Sequence, residues 1–334
     1  MHSDPKDPLL DIQNLSTFFH TEENIVRSVR NADLTIYPGE TVALVGESGC
    51  GKSVTALSIM RLLPIPPGKF ENGRILFKGT DLLQVSEQEM QKTRGNEISM
   101  IFQEPMTSLN PIFTIGDQIT EVIHLHQDIT EQEARRQALE VLKKVAIPSP
   151  EQRIDQYPHE LSGGMKQRVM IAMSIVCKPS LLIADEPTTA LDATIQAQIL
   201  DLLDELRKET GMAILLITHN LGIVAQYADR VAVMYSGKIV EQAPVENLFT
   251  SPSHPYTQGL LNSLPKDTIS EKLETIPGAV PHPAFLPEGC AFHPRCAETM
   301  EACKREIPEL QYLDDIPHHQ TACWLFNKAE NTAP

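Results

Sequence analysis

Short apolar runs bounded by turn residues alternate with helix-compatible segments along most of the chain. The runs predict strands at residues 9–15, 33–37, 41–45, 73–78, 98–102, 181–185, 213–218, 231–235 and 238–241. Ser236-Gly237 is a turn signal that joins the last two strands into a hairpin. Helices are predicted at 54–63, at 165–175, and from Ala190-Leu191-Asp192 onward. This alternation predicts an α/β fold.

A mostly helical stretch, about residues 100–175, interrupts the strand pattern as an inserted subdomain would. Thr130 and Glu133 have the spacing of a capping box at a helix start. The apolar positions that follow fall on one helical face, at Ala134, Ala138, Val141, Leu142 and Val145. A second stripe follows Asp192, at Ile195, Ile199, Leu202, Leu203 and Leu206.

Composition and charge narrow the class of protein. The 334 residues are 41% hydrophobic and 22% charged, which is typical of a soluble globular protein. The formal net charge of −16 argues against nucleic acid as a partner, because phosphate neutralisation needs clustered Lys and Arg. No apolar run approaches the roughly 20 residues that span a bilayer, and the start lacks the layout of a signal peptide. We therefore expect a cytosolic chain that reaches a membrane only through partners.

Residues 46–53, Gly-Glu-Ser-Gly-Cys-Gly-Lys-Ser, fit the phosphate-binding loop pattern G-x-x-x-x-G-K-[ST] between a predicted strand and a predicted helix. Backbone N–H groups of such a loop point inward, and the helix start adds a positive dipole end. Lys52 can reach the β- and γ-phosphates of a nucleotide, and the Ser53 hydroxyl can ligate Mg²⁺. The alternative is a glycine-rich turn with a chance lysine. The loop residues that we expect at the nucleotide are Gly46, Ser48, Gly49, Cys50, Gly51, Lys52 and Ser53.

A second anion site is predicted at residues 161–167, Leu-Ser-Gly-Gly-Met-Lys-Gln. Ser162 stands where an N-cap would stand, and Gly163 and Gly164 leave backbone N–H groups open at the helix start. The chain has two phosphate-type sites but only one loop that carries a lysine. This suggests that the second site binds a nucleotide that is held elsewhere. Taken alone, the stretch fits a capped helix with a glycine hinge equally well.

Polar side chains follow two buried-type strands. Asp185 can hold Mg²⁺, and Glu186 can activate the attacking water as a general base. His219 follows the strand at 213–218, at the ligand-binding edge of an open α/β sheet, and could contact a γ-phosphate. The alternatives are a solvated acidic turn and a structural histidine. Phe19 could stack on an adenine ring, although on physical grounds a core or edge aromatic is favoured.

Taken in order, these motifs resemble the nucleotide-binding subunit of an ATP-binding cassette (ABC) transporter. The order is the phosphate loop, Gln103, the stretch at 161–167, Asp185-Glu186, Asp192 and His219. The match covers roughly residues 9–265, and the 161–167 stretch is highly specific. The resemblance implies an α/β phosphate-loop ATPase with a RecA-like core, an antiparallel β subdomain and a helical subdomain. It divides the chain into an ATPase domain at 1–265 and a small cysteine-containing extension at 266–334.

The resemblance also implies roles. Two chains form a head-to-tail dimer, and each ATP lies between one phosphate loop and the other chain's Ser162-Gly163-Gly164. Gln103 resembles the glutamine that touches Mg²⁺ or water and relays to the membrane subunit. Glu186 resembles the catalytic base, His219 the switch histidine, and Asp192 an aspartate that crosses the interface. Phe19 takes the place of the adenine-stacking aromatic, which reverses the leaning above.

Narrower features resemble the ATPases of oligopeptide and dipeptide importers: the phosphate loop, residues 100–111, 254–257 and the tail. That subgroup implies a second, different ATPase chain, two transmembrane permease subunits, an extracellular peptide-binding protein, and a place at the cytoplasmic face of the membrane. A nickel importer and a soluble ABC ATPase of iron–sulfur assembly are the alternatives. The chain departs from the pattern at Cys50, Lys166 and Asn220, where Ser, Arg and Asp are usual. Asn220 is expected to alter local hydrogen bonding.

Four cysteines cluster in the tail with the spacing C-x5-C-x6-C-x19-C, namely Cys290, Cys296, Cys303 and Cys323. In a cytosolic protein, cysteines indicate metal or chance rather than disulfides. A proline-rich, weakly periodic segment would struggle to build its own core, and a metal centre could fold it. Similar tails in peptide-importer ATPases carry a [4Fe–4S] cluster on four cysteines, which all-thiolate ligation allows. Zinc and free thiols are the alternatives. The expected cofactors are thus ATP, Mg²⁺ and this cluster.

Overall fold

A computed structural model gives the structure of the chain, and it describes residues 7–102, 109–188, 192–264, 275–313 and 318–326. The described residues divide into two compact units. The first contains residues 36–40 and 84–216 together with the chain up to Leu9, and the second contains 10–35, 41–83 and the chain from Ile217 onward. Within the described ranges, no helix is both long and apolar enough to cross a membrane.

The first unit is dominated by helices, as expected for the inserted subdomain. Its helices are α2 (Glu87–Thr93), α3 (Ile115–His126), α4 (Glu131–Lys144), α5 (Pro150–Arg153), α6 (Gly163–Ile175) and α7 (Ala193–Thr210). The strands β6 (Ile98–Ile101), β7 (Leu181–Asp185) and β8 (Ala213–Ile217) are neighbours in the order β6-β7-β8, and β6 runs parallel to β7. Every residue of β7 and β8 is buried, as parallel strands covered on both faces require.

Helix α4 begins where the sequence predicts, but its capping box is half formed. The Thr130 hydroxyl accepts the Glu133 backbone N–H at 3.3 Å. The Glu133 carboxylate turns outward instead and pairs with Arg136. A charge-assisted bond to an arginine outcompetes a neutral backbone donor. The predicted apolar face of α4 is confirmed, since Ala134, Ala138, Val141, Leu142 and Val145 are all buried.

The second unit contains two groups of strands. One is an antiparallel sheet in the order β2-β1-β4-β5, made of β1 (Leu10–His20), β2 (Ile25–Ile36), β4 (Gly68–Phe77) and β5 (Thr80–Asp81). The other runs β11-β12-β10-β9-β3, made of β3 (Thr41–Val45), β9 (Arg230–Tyr235), β10 (Lys238–Pro244), β11 (Gln311–Tyr312) and β12 (Gln320–Thr321). Its helices are α1 (Lys52–Ile59), α8 (Leu221–Tyr227), α9 (Val245–Thr250), α10 (Pro255–Asn262) and α11 (Glu301–Arg305).

The hairpin predicted around Ser236-Gly237 is confirmed as β9 and β10, which pair antiparallel. Both turn residues have positive φ, 45° and 82°, as a two-residue hairpin turn of type I′ requires. The strands β1, β2 and β4 are longer than the sequence pattern predicts. A strand in a paired sheet continues as long as its neighbour supplies hydrogen bonds, which the apolar pattern alone does not show.

The cysteine-containing tail is part of the second unit and not a separate core. Strand β12 adds to the edge of β10, with Thr321 opposite Glu241. Phe292 packs against Tyr235 and Tyr256, with ring centroids 5.2 and 5.4 Å apart. The tail therefore buries its apolar residues against the ATPase strands. A metal centre is not needed to supply it with a core. The predicted boundary at residue 265 stays a prediction, because residues 265–274 lie outside the described ranges.

Candidate functional site

The phosphate-binding loop lies between β3 and α1 in the second unit. Gly46, Gly49 and Gly51 have φ of 153°, 77° and 110°. A Cβ on Gly46 would stand 2.2 Å from the Met234 carbonyl oxygen, so this position admits no side chain. The loop thus has the tight curvature that lets successive N–H groups converge on an anion.

The Lys52 side chain lies across the loop and is only 7% exposed. Its amine donates to the carbonyls of Gly46 at 2.8 Å and Glu47 at 3.1 Å. Cys50, which replaces the usual serine, is buried with its sulfur 3.7 Å from the same amine. Burial raises the pKa of the Cys50 thiol although Lys52 opposes the shift, so the thiol stays neutral. The substitution therefore adds no charge to the loop.

Phe19 lies near the end of β1, opposite Gly68 on β4. A Cβ on Gly68 would stand 3.5 Å from a Phe19 ring carbon, so the ring lies over the glycine. The ring is half-buried rather than enclosed in the core. Thr17 on the same strand is within 3.1 Å of the Ser58 hydroxyl of α1, which fixes β1 against the helix that follows the loop. Part of the Phe19 ring is therefore exposed to solvent. Its adenine-stacking role stays a prediction.

In the first unit, Ser162 is the N-cap of α6 and accepts the Met165 N–H at 3.4 Å. Gly163 has open space where a side chain would be, whereas a Cβ on Gly164 would stand 3.2 Å from the Cγ2 atom of Ile195 in α7. Asp192 is the N-cap of α7 and accepts the Ile195 N–H at 3.0 Å. The starts of these two helices are therefore neighbours in this unit.

The two predicted carboxylates lie at the end of β7 in the same unit: Asp185 is its last residue and Glu186 follows it. Asp185 is 4% exposed at the carboxyl end of the strand. Glu186 has φ of 48°, a left-handed conformation that is uncommon for a glutamate. Such strain is found at functional positions held by their surroundings. The side-chain amide of Gln167 donates to the Pro187 carbonyl, which ties α6 to the turn after the carboxylates.

His219 follows β8 and is exposed. The residue after it, Asn220, is the N-cap of α8, and its side-chain oxygen accepts the Gly222 N–H at 3.0 Å. An amide oxygen caps a helix as well as the usual aspartate does. The expected change in hydrogen bonding is therefore small. Gln103, the other predicted relay residue, lies outside the described residues.

Sequence reasoning missed one contact of the phosphate loop. The Arg295 guanidinium forms a bidentate ion pair with the Glu47 carboxylate, at 2.8 and 3.2 Å. The Glu47 N–H donates to the Tyr256 hydroxyl at 2.9 Å. An acidic residue inside an anion-binding loop is a signal that it needs a cationic partner, but the pair is separated by 248 positions.

The four tail cysteines form no disulfide. Burial raises the pKa of Cys290, Cys296 and Cys323, the last to about 12, and neighbouring thiols of the set add to each shift. Among the described residues, however, no three His, Cys, Asp or Glu side chains converge on one metal ion. The donor chemistry thus suits a thiolate-ligated group, but the placement does not form a single-ion site.

The fold and these loops define an ATP-binding cassette. The family model described as ABC transporter matches residues 29–189, and the model described as oligopeptide/dipeptide transporter, C-terminal region, matches residues 240–303. The oligopeptide transport ATP-binding protein AppD of Bacillus subtilis (strain 168) is 53% identical over 321 residues, 96% of this chain and 97% of AppD. The dipeptide transport ATP-binding protein DppD of the same organism is 50% identical over 320 residues, 96% of this chain and 95% of DppD.

A solved dimeric structure of MJ0796, a bacterial ABC transporter cassette, superposes with a TM-score of 0.63 at 27% identity. It covers 71% of this chain and 98% of that one. The chain belongs to the ABC transporter family, among its ATP-binding proteins. It is accordingly an ATPase, in agreement with the prediction from the sequence.

Proposed function

We propose that this chain is the ATP-hydrolysing subunit of a membrane importer of oligopeptides or dipeptides. The observation that carries this proposal is the match of residues 240–303 to the C-terminal region of oligopeptide/dipeptide transporters. Relatives at 50% identity or more, which span almost the whole chain, are named for peptide transport. These names favour peptides over nickel or iron–sulfur assembly. The chain would work with separate permease subunits, an external peptide-binding protein and a second ATPase chain.

Each half of the ATP site has a proposed task. Residues 46–53 hold the phosphates through backbone N–H groups and Lys52, and Phe19 stacks on the adenine. Glu186 accepts a proton from the attacking water, and His219 contacts the γ-phosphate. Ser162, Gly163 and Gly164 of a partner chain close over the same nucleotide, with Asp192 at the interface.

Mg²⁺ would be held by Ser53, Gln103 and Asp185. A buried carboxylate at the end of a strand suits a hard cation with oxygen ligands. When bound, the ion neutralises charge on the β- and γ-phosphates. The protein's own part is to aim Lys52 and the loop amides at those oxygens and to keep Glu186 beside the water.

The test is uptake of labelled di- to pentapeptides by host cells that carry Glu186→Gln. Peptide uptake should collapse, because the general base is lost, while nickel uptake persists. Glu246→Gln, an exposed glutamate of the second unit, is the matched control and should leave uptake intact. If the Glu186 variant takes up peptides normally but fails to take up another solute, peptides are not the substrate.

For the tail we propose a [4Fe–4S] cluster on Cys290, Cys296, Cys303 and Cys323. A four-iron cluster takes one thiolate on each iron, so its ligands stand further apart than those of a single ion. The charges of Cys290, Cys296 and Cys303 act on Cys323, and four cysteine thiols are the donor set that all-thiolate ligation of such a cluster uses. The cationic Arg30 and Lys238 border a cavity of about 20 Å³ that Cys290 also lines, and positive charge there suits an anionic cluster.

Iron and acid-labile sulfide analysis after anaerobic purification tests the tail proposal. Four of each per chain, with loss in a Cys323→Ser variant, is the expected result. A colourless protein with one bound zinc would refute it, and so would a metal-free protein, whose four cysteines would be plain thiols.

A further inference from the structure

The tail reaches the phosphate loop through one side chain. Arg295 ends a short helical turn in the tail, and its side chain is 4% exposed. Besides the two bonds to Glu47, its Nε donates to the Pro277 carbonyl at 2.9 Å. The guanidinium carbon lies 5.8 Å from the Tyr235 ring centre and 5.9 Å from that of Phe292. A planar guanidinium held on all sides has one available orientation, and that orientation faces the loop.

The loop side of this contact is Glu47, the second residue of the 46–53 motif. Its carboxylate is 31% exposed, and its N–H is committed to the fully buried Tyr256. The first turn of the loop is therefore held at two points, the Tyr256 hydroxyl and Arg295. Both points come from outside the strand–loop–helix segment itself.

The charge of Glu47 makes this contact matter for binding. A carboxylate within a loop that takes the phosphates of ATP adds like charge close to the ligand. Pairing with a guanidinium at 2.8 Å offsets that charge. An arginine guanidinium stays protonated in proteins, so the neutralising charge is always present.

We propose that Arg295 is a positioning residue for ATP binding: it neutralises Glu47 and fixes the first turn of the phosphate loop, so that the tail sets the ATP affinity of this chain. Arg295 acts through Glu47 and does not itself contact nucleotide. Loss of Arg295 should therefore raise KM for ATP and leave kcat close to that of the unaltered chain.

The experiment is a double-mutant cycle on the intact transporter with Arg295→Met, Glu47→Gln and the pair together. Arg295→Met should raise KM for ATP about 10-fold, since it exposes a charge that one charged hydrogen-bond pair had offset. The deficit should shrink as ionic strength rises. Glu47→Gln with Arg295→Met should return KM to within about 3-fold of the unaltered protein, because the carboxylate is gone. Arg295→Lys, which keeps the charge but loses the fork, should lie between.

Arg135→Met is the control, since Arg135 also pairs with a carboxylate, that of Asp155, but on the exposed surface of the first unit. It should leave KM unchanged. The proposal is overturned if Arg295→Met folds and keeps its KM, or if the double variant is no better than Arg295→Met. It is also overturned if neither variant folds, because Arg295 would then serve the fold and not the loop.

Discussion

The tail is tied to the ATPase strands by a fully buried hydrogen bond between His319 and Glu241, whose removal gives a sharp prediction. His319 Nε2 lies 2.6 Å from Glu241 Oε1, and both side chains are 0% exposed. The Glu241 carboxylate also accepts the backbone N–H of Ser253 at 2.7 Å and of His254 at 2.9 Å. One carboxylate thus joins β10, the start of α10 and the residue just before β12.

Replacing His319 with leucine would leave the Glu241 charge buried without its side-chain partner. Breaking a buried pair in this way costs about 3–5 kcal/mol of unfolding free energy. At about 2 °C per kcal/mol for a large domain, the melting temperature should fall by about 6–10 °C. Limited proteolysis should then cleave within the tail first, because β12 loses its anchor.

His319→Gln provides the matched comparison. An amide N–H can still donate to Glu241, so the loss should be only about 1–2 kcal/mol. The neighbouring His318 is exposed at φ 58°, and His318→Asn, which tolerates that conformation, should change stability by no more than about 0.5 kcal/mol. Urea or thermal unfolding measures all three. Equal losses for the leucine and glutamine variants would refute the argument from buried charge.

Three further predictions concern the second unit. Lys52→Ala should abolish ATP binding measured by titration, because no other side chain of the motif carries positive charge to the phosphates. Gly51→Ala should do the same through geometry, since its Cβ would meet the Ser28 carbonyl oxygen at 2.3 Å, whereas Gly49→Ala has no such contact and should cost less. Burial lowers the pKa of His254 from 6.5 to about 4, against the opposing charge of Glu241. The unfolded chain then binds more protons between these values, so stability should fall as pH drops from about 6.5 to about 4, by on the order of 3 kcal/mol, and His254→Asn should flatten this dependence in urea titrations.

Sequence patterns predicted the elements that carry their own signals. Strand β3, strand β7 and the apolar face of α4 lie where the hydrophobic pattern predicts them. The residues that an element buries are its own apolar residues, so their spacing is visible in the local sequence. The phosphate loop was recognisable because its chemistry needs fixed spacing over eight residues of the motif.

The sequence did not reveal contacts between distant segments. The pair Glu47–Arg295 and the pair Glu241–His319 are separated by 248 and 78 positions. The local sequence does not show which distant residue is the partner, because such pairs form only once the chain has folded. For the same reason the sequence predicts a tail that would struggle to build a core and that a metal centre could fold, although Phe292 packs on Tyr235 and Tyr256.

We propose that this chain couples ATP hydrolysis to peptide import through Glu186. The most direct test measures ATP hydrolysis and labelled peptide uptake together, in membrane vesicles that contain the intact transporter. With Glu186→Gln, hydrolysis should fall by about 10²–10⁴-fold, ATP binding should remain, and peptide uptake should fall in step with hydrolysis. Peptide uptake that continues while hydrolysis is lost would contradict the claim.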